Sequence, residues 1–425
     1  MTMGTIGDAA CWTALRVRGL LMPVAVALAH CRLDTFHNFL RGDIEAELRF
    51  FQNPMSISRA LREDRQQYAI YKEISETGLI PAAFLLHGPD TAVLAGFWGL
   101  MREAFDADGY VSRDVLEVLA AEVSELVGCP LCVSVHAAFM DGMGITGPAE
   151  YYGQPAELRR CGLLAEPYRR LVDWLATYPR EDFDATLLDS EFDPMAKAEL
   201  LGTAFAFHYI GGIYPSIMPG SDFIEVFMRC TGLGRYQSSP RIRNRVYRMA
   251  VQWIGYSMRR HRPSGESVTL QILKNSNLDL DLTEDTLWAL PNPHISTAVA
   301  GFLAATERLA SEHLSRATLE SVHNYVHGRW DGVEDPGETD AQWARDVAED
   351  SGLGSQAERV ATELGLLVAL SPKQLSTAQG MRLLGSFVEI SMTDDADDPD
   401  PALLAILSWS RLQATRRFVA RLAGA

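Results

Sequence analysis

The sequence has little of three features that would point to a membrane, a nucleic acid or an extracellular role. Its nearest approach to a long apolar run, residues 19–29, is shorter than the ~18 residues that a membrane-spanning helix needs. It holds 38 basic and 55 acidic residues, and this net charge of -17 argues against nucleic-acid binding. Six cysteines among 425 residues are too few for a disulfide scaffold, so we expect a reduced, cytoplasmic protein.

The rest of the composition is that of an ordinary globular protein. With 47% hydrophobic and 22% charged residues, the chain can bury the cores of two or three domains. The apolar residues 19–29 also have the length of a signal-peptide core. Asp8 lies where such a signal needs a basic flank, so we favour an amphipathic opening segment instead.

One pair of cysteines has a chemically suggestive spacing. Cys129 and Cys132 are three residues apart, and His136 follows four residues later. In a helix, which turns about 100° per residue, all three side chains share one face, with Cys129 in the first turn. The unsatisfied N–H groups of a helix N-terminus stabilise a thiolate there, and an imidazole can hold or deliver its proton.

The preceding residues 112–127 predict a second helix that begins at Ser112 as its N-cap. Its small residues, Ala120, Ala121 and Ser124, lie on the same stripe as Glu117. A stripe of small side chains lets another helix approach closely. We therefore expect the Glu117 carboxylate to lie near the cysteine pair.

Glu117, Cys129, Cys132 and His136, at these spacings, resemble the active site of the AhpD-like alkylhydroperoxidase and carboxymuconolactone decarboxylase superfamily. The resemblance implies an all-helical fold and a redox-active dithiol without a cofactor. It also implies that Glu117 and His136 relay a proton to Cys132, while Cys129 forms the disulfide with it. Leu131 is a departure, since the best-known peroxidases of this type carry a second histidine there; it points to a simpler relay or another substrate.

His208 is a further candidate, for substrate binding. Family members often place an aromatic helix that bears a histidine against the site, and residues 204–212 fit that description. The alternative interpretation is a core histidine with a backbone partner.

An internal repeat organises the rest of the chain. Residues 297–303 are similar to residues 91–97, and residues 315–320 are similar to residues 112–117. The two similarities together suggest a duplication whose second copy lacks the dithiol, because Gly332, Asp335 and Thr339 fall at the cysteine and histidine positions. The predicted architecture is all-α, with tandem AhpD-like domains: an N-terminal helical extension (1–80), an AhpD-like domain with the cysteine pair (81–235), a helical linker (236–290) and a degenerate AhpD-like domain (291–425).

The predicted function is that of a thiol–disulfide oxidoreductase acting on a peroxide or a disulfide. Such an enzyme needs an external dithiol or a thioredoxin-like protein as reductant, and we expect a homo-oligomer of low order. The main alternative is a non-redox acid–base enzyme, decarboxylase-like or biosynthetic, that acts on a small metabolite; the cysteine pair argues against it. Metal binding is less favoured, because no second cysteine pair or histidine motif completes a zinc site, and a scaffold role comes last.

Overall fold

The computed structural model describes residues 60, 63–77, 82–142, 166–175, 186–217, 261–328, 341–392 and 398–424. Within these ranges the fold is all-α, as predicted, and holds no β-strand. The only extended pairing there is an isolated bridge between Asp108 and Pro263. The alternation of leucine and aspartate at residues 278–282 forms irregular backbone. The helices in the described part are either too short or too polar to span a membrane.

The first group of helices includes the one that follows the cysteine pair. It comprises α1 (Arg65–Ser75), α2 (Ala82–Leu86), α3 (Thr91–Met101) with a π-helical turn (Arg102–Asp106), α4 (Arg113–Leu126) and α5 (Pro130–Gly142). Asp64 and Asp90 cap α1 and α3 by accepting hydrogen bonds from backbone N–H groups. The predicted boundary of α4 is confirmed, because Ser112 occupies its N-cap position.

Three helices then lead to the middle of the molecule: α6 (Tyr168–Leu175), α7 (Thr186–Glu191) and the long α8 (Pro194–Ile217). All residues from 198 to 213 are buried. A helix that is apolar on all sides must be covered by neighbours on all sides. In this structure α8 packs against α4 and α3 on the one hand and against the C-terminal helix on the other.

The second group begins with α9 (Val268–Asn275) and a 3₁₀ turn (Glu284–Ala289). It continues with α10 (Pro293–His313), α11 (Arg316–Gly328), α12 (Gln342–Asp350), α13 (Gln356–Leu370), a 3₁₀ turn (Pro372–Ser376), α14 (Ala378–Met392) and α15 (Asp400–Ala423). A capping box between Ser355 and Glu358 starts α13. The last helix is buried along residues 403–415, like α8.

The two groups share one continuous hydrophobic core. Helix α3 packs along α10, and these are the helices that carry the first repeated sequence mark. Their backbones approach so closely at Gly96 that a Cβ there would overlap Phe302. Helix α8 also packs along α15. The division of the chain into an N-terminal extension, two AhpD-like domains and a linker stays a prediction.

Several predicted features lie outside the described residues. They are the apolar segment 19–29, most of the N-terminal extension, residues 236–260 of the linker, and the positions Gly332, Asp335 and Thr339.

Candidate active site

Cys129 precedes α5 and caps it. The sequence predicted it in the first turn, whereas the structure starts the helix one residue later, at Pro130. Proline suits a first helical position because it has no N–H to leave unsatisfied. The Cys129 sulfur accepts a hydrogen bond from the Cys132 N–H at 3.3 Å, and its carbonyl accepts from the Val133 N–H at 3.1 Å. The sulfur therefore takes the place of a capping side-chain oxygen.

The two cysteines form a disulfide-bonded pair in this structure, with their Cα atoms 5.3 Å apart. Both are nearly enclosed, but Cys132 keeps 7% of its surface exposed and Cys129 only 1%. The turn that leads into the pair depends on Gly128, whose φ of +73° is a left-handed conformation that other residues rarely adopt.

Glu117 and His136 are in direct contact. Helix α5 packs against α4, and Glu117 Oε2 lies 2.6 Å from His136 Nδ1. Both residues are buried, Glu117 completely. His136 follows Cys132 by four positions on α5, so about 5–6 Å separates their Cβ atoms. Glu117 and His136 thus contact each other across the interface between α4 and α5, and the Cys129–Cys132 pair lies at the start of α5, one turn before His136.

Aromatic rings enclose the histidine. The ring centres of Phe207 and Phe105 lie 4.5 Å and 5.8 Å from that of His136, both with edge-to-face geometry, and Phe139 lies 6.2 Å away. Rings of this kind exclude water and strengthen the electrostatic interaction between His136 and Glu117. Sequence reasoning missed Phe207, although it lies next to the chosen His208.

Arginine 113 contacts the other oxygen of the carboxylate. Its Nε donates to Glu117 Oε1 at 2.9 Å, four residues along the same helix. Burial opposes ionisation of Glu117, but Arg113 and His136 outweigh burial and hold the pKa of this carboxyl below its usual range. The carboxylate is therefore negative at neutral pH and orients the imidazole through Nδ1. The i, i+4 spacing of Arg113 and Glu117 was a signal that could have found this contact.

His208 lies elsewhere. Its ring stacks on Phe418 with 4.3 Å between ring centres, and its Nδ1 lies 2.9 Å from Thr415 Oγ1. Its backbone carbonyl accepts from the guanidinium of Arg411, which is fully buried. These described contacts all belong to α15. A role for His208 in substrate binding stays a prediction.

In the described ranges, no group of three or more histidine, cysteine, aspartate or glutamate side chains is arranged to hold a metal ion.

Comparison with known proteins gives one informative match. The chain is 26% identical, over 349 residues, to a protein of Mycobacterium tuberculosis named alkyl hydroperoxide reductase; the match covers 80% of this chain and 86% of that protein. The resemblance to the AhpD-like superfamily is confirmed. No family model and no solved structure matches the chain.

Proposed function

We propose that this AhpD-like chain is a thiol–disulfide oxidoreductase that reduces peroxides with the Cys129–Cys132 dithiol. The observation that carries the proposal is the buried hydrogen bond between Glu117 and His136 beside a cysteine pair at a helix N-terminus. The relative from Mycobacterium tuberculosis is named for peroxide reduction, which supports the choice of substrate.

The proposed reaction starts from the reduced dithiol. His136, oriented by Glu117, takes the proton of Cys132, and the resulting thiolate attacks one oxygen of the peroxide. The O–O bond breaks, the leaving alkoxide takes up a proton, and Cys132 becomes a sulfenic acid. The Cys129 sulfur then displaces hydroxide, which leaves as water, and the disulfide forms. An external dithiol or a thioredoxin-like protein returns two electrons and two protons by thiol–disulfide exchange.

The burial of the two cysteine residues supports these separate roles. Cys132 is the more exposed residue of the two and lies one helical turn before His136 on the same face of α5, so we assign it the attack. Cys129, which is nearly fully enclosed at the helix start, is assigned the resolving role.

The test is a single turnover of the reduced protein with peroxide, after the reductant has been removed. We expect the wild type to consume peroxide and form the Cys129–Cys132 disulfide, Cys132→Ser to lose this consumption, and Cys129→Ser to stop at a sulfenic acid on Cys132 that dimedone traps. Peroxide consumption by Cys132→Ser at the wild-type rate would contradict the proposal. A reduced wild type that leaves peroxide unchanged would favour acid–base catalysis by Glu117 and His136 instead, because that chemistry does not need the dithiol.

A further inference from the structure

The side chain of Arg113 is held on several sides. Its Nε donates to Glu117, and its Nη1 donates to the Phe105 carbonyl at 2.7 Å and lies 3.3 Å from Asp106 Oδ1. The guanidinium carbon also lies 3.8 Å from the centre of the Phe105 ring. These contacts fix both the position and the plane of the guanidinium.

The contacts continue beyond Arg113 as a row of alternating charges. Asp106 Oδ1 also accepts from Arg262 Nη1 at 3.1 Å, and Arg262 Nη2 donates to the Glu76 carbonyl at 2.9 Å. Asp106 and Arg262 are both buried. The row therefore runs from Arg262 through Asp106, Arg113 and Glu117 to His136. It connects the segment just before α9, which holds Arg262, to the candidate site.

A second arginine–glutamate pair at the same spacing lies on the surface of the protein and serves as a comparison. Arg316 and Glu320 occupy the corresponding places in the second repeat, and Arg316 Nε lies 2.6 Å from Glu320 Oε1. There the two side chains are 90% and 55% exposed, whereas those of Arg113 and Glu117 are 19% and 0% exposed. The local helix geometry is shared. Burial and the histidine contact distinguish the first pair.

From these contacts we propose that Arg113 is a positioning residue for the dithiol chemistry: it keeps Glu117 as a fixed carboxylate acceptor for His136 Nδ1. The inference rests on the proposed function, since it concerns the same site. Arg113 has no described contact with the cysteines and acts through Glu117.

The charge balance at Glu117 explains why an arginine is needed. A fully buried carboxyl tends to take up a proton, and a protonated Glu117 would donate a hydrogen bond instead of accepting one from His136. Besides Arg113 and His136, the charged groups that the structure describes on and beside α4 include the buried Glu122 of α4 itself, Asp106 and Arg262 at one side, and Glu199 of α8. The Glu199 carboxylate accepts from the N–H groups of Tyr110 and Val111. Arg113 is the cation that contacts Glu117 directly.

The experiment compares Arg113→Met, Arg113→Lys and the control Arg316→Met with the wild type. After reduction, the rate of Cys132 alkylation by iodoacetamide is followed by peptide mass spectrometry across a range of pH. This readout needs no peroxide, so it tests Arg113 even if the protein fails to turn over peroxides.

In Arg113→Met we expect the acidic limb of the pH–rate profile to move to higher pH, with alkylation at least about tenfold slower on that limb, the factor that one pKa unit represents. Arg113→Lys keeps the charge but not the fork of donors, so it should restore part of the rate. Arg316→Met should behave as wild type. A profile for folded Arg113→Met that coincides with wild type would overturn the proposal. If Arg113→Met does not fold, a wild-type profile in Arg113→Lys would overturn the requirement for the guanidinium.

Discussion

Replacing Glu117 by glutamine removes the charge between Arg113 and His136 while nearly preserving the shape of the side chain. The carboxylate accepts from Arg113 at 2.9 Å and contacts His136 at 2.6 Å, and it is fully buried. A hydrogen bond to a charged group contributes about 1.5–3 kcal/mol, and two are affected. The amide oxygen can still accept from Arg113, and Arg113 retains Asp106. We therefore expect Glu117→Gln to lower the free energy of unfolding by about 2–3 kcal/mol at neutral pH.

The loss of stability in Glu117→Gln should depend on pH. Because the pKa of Glu117 is depressed in the folded protein, its stabilising effect is present above the usual carboxyl pKa and is lost as the pH falls through the folded value. The difference between wild type and Glu117→Gln should shrink accordingly in acid.

Urea unfolding followed by circular dichroism, at several pH values, measures the effect. Glu320→Gln is the matched control, and because its ion pair is exposed we expect a loss of less than about 0.5 kcal/mol. Equal losses in the two variants, or a Glu117→Gln loss that does not change with pH, would refute the reasoning.

Two further predictions concern the core. Gly96→Ala should destabilise the protein by about 1–3 kcal/mol, because the added methyl group overlaps Phe302. Gly99→Ala, whose methyl group would meet Thr269 Oγ1 at 3.2 Å, should destabilise it less. Thermal unfolding of both variants measures the two losses. A smaller loss in Gly96→Ala than in Gly99→Ala would contradict the close packing of α3 on α10. Burial lowers the pKa of His87 to about 4. Its contribution to stability should therefore be complete above its usual value of 6.5 and fall by about 3 kcal/mol as the pH approaches 4, because the unfolded chain takes up the proton first. His87→Gln should flatten that part of the stability–pH curve, and an unchanged curve would show that His87 is not buried as a neutral ring.

The sequence was informative where local helix geometry decides the outcome. Cys132 and His136 share a face because they are one helical turn apart, and the expected approach of Glu117 to this segment appears as its contact with His136. The repeated marks at residues 91 and 297 fall on α3 and α10, and these helices pack against each other.

Tertiary packing decided what the sequence could not show. Phe207 and His208 are neighbours on a helix that is buried on all sides, so no polar stripe indicated which of them faces His136. The packing of α8 between α4 and α15 turns Phe207 toward His136 and His208 toward Phe418. The partners of Arg113 lie near it in sequence, but the row of charges continues into a distant segment: Asp106 contacts Arg262, which lies 156 residues further along the chain.

The central claim is that Cys129 and Cys132 cycle between dithiol and disulfide. The most direct measurement is the number of free thiols in reduced protein before and after one equivalent of peroxide, with peptide mapping of the oxidised cysteines. Of six cysteines, two should disappear, leaving four, and the two should map to Cys129 and Cys132 and return with dithiothreitol. Six free thiols after peroxide, or a loss that maps to other cysteines, would contradict the claim.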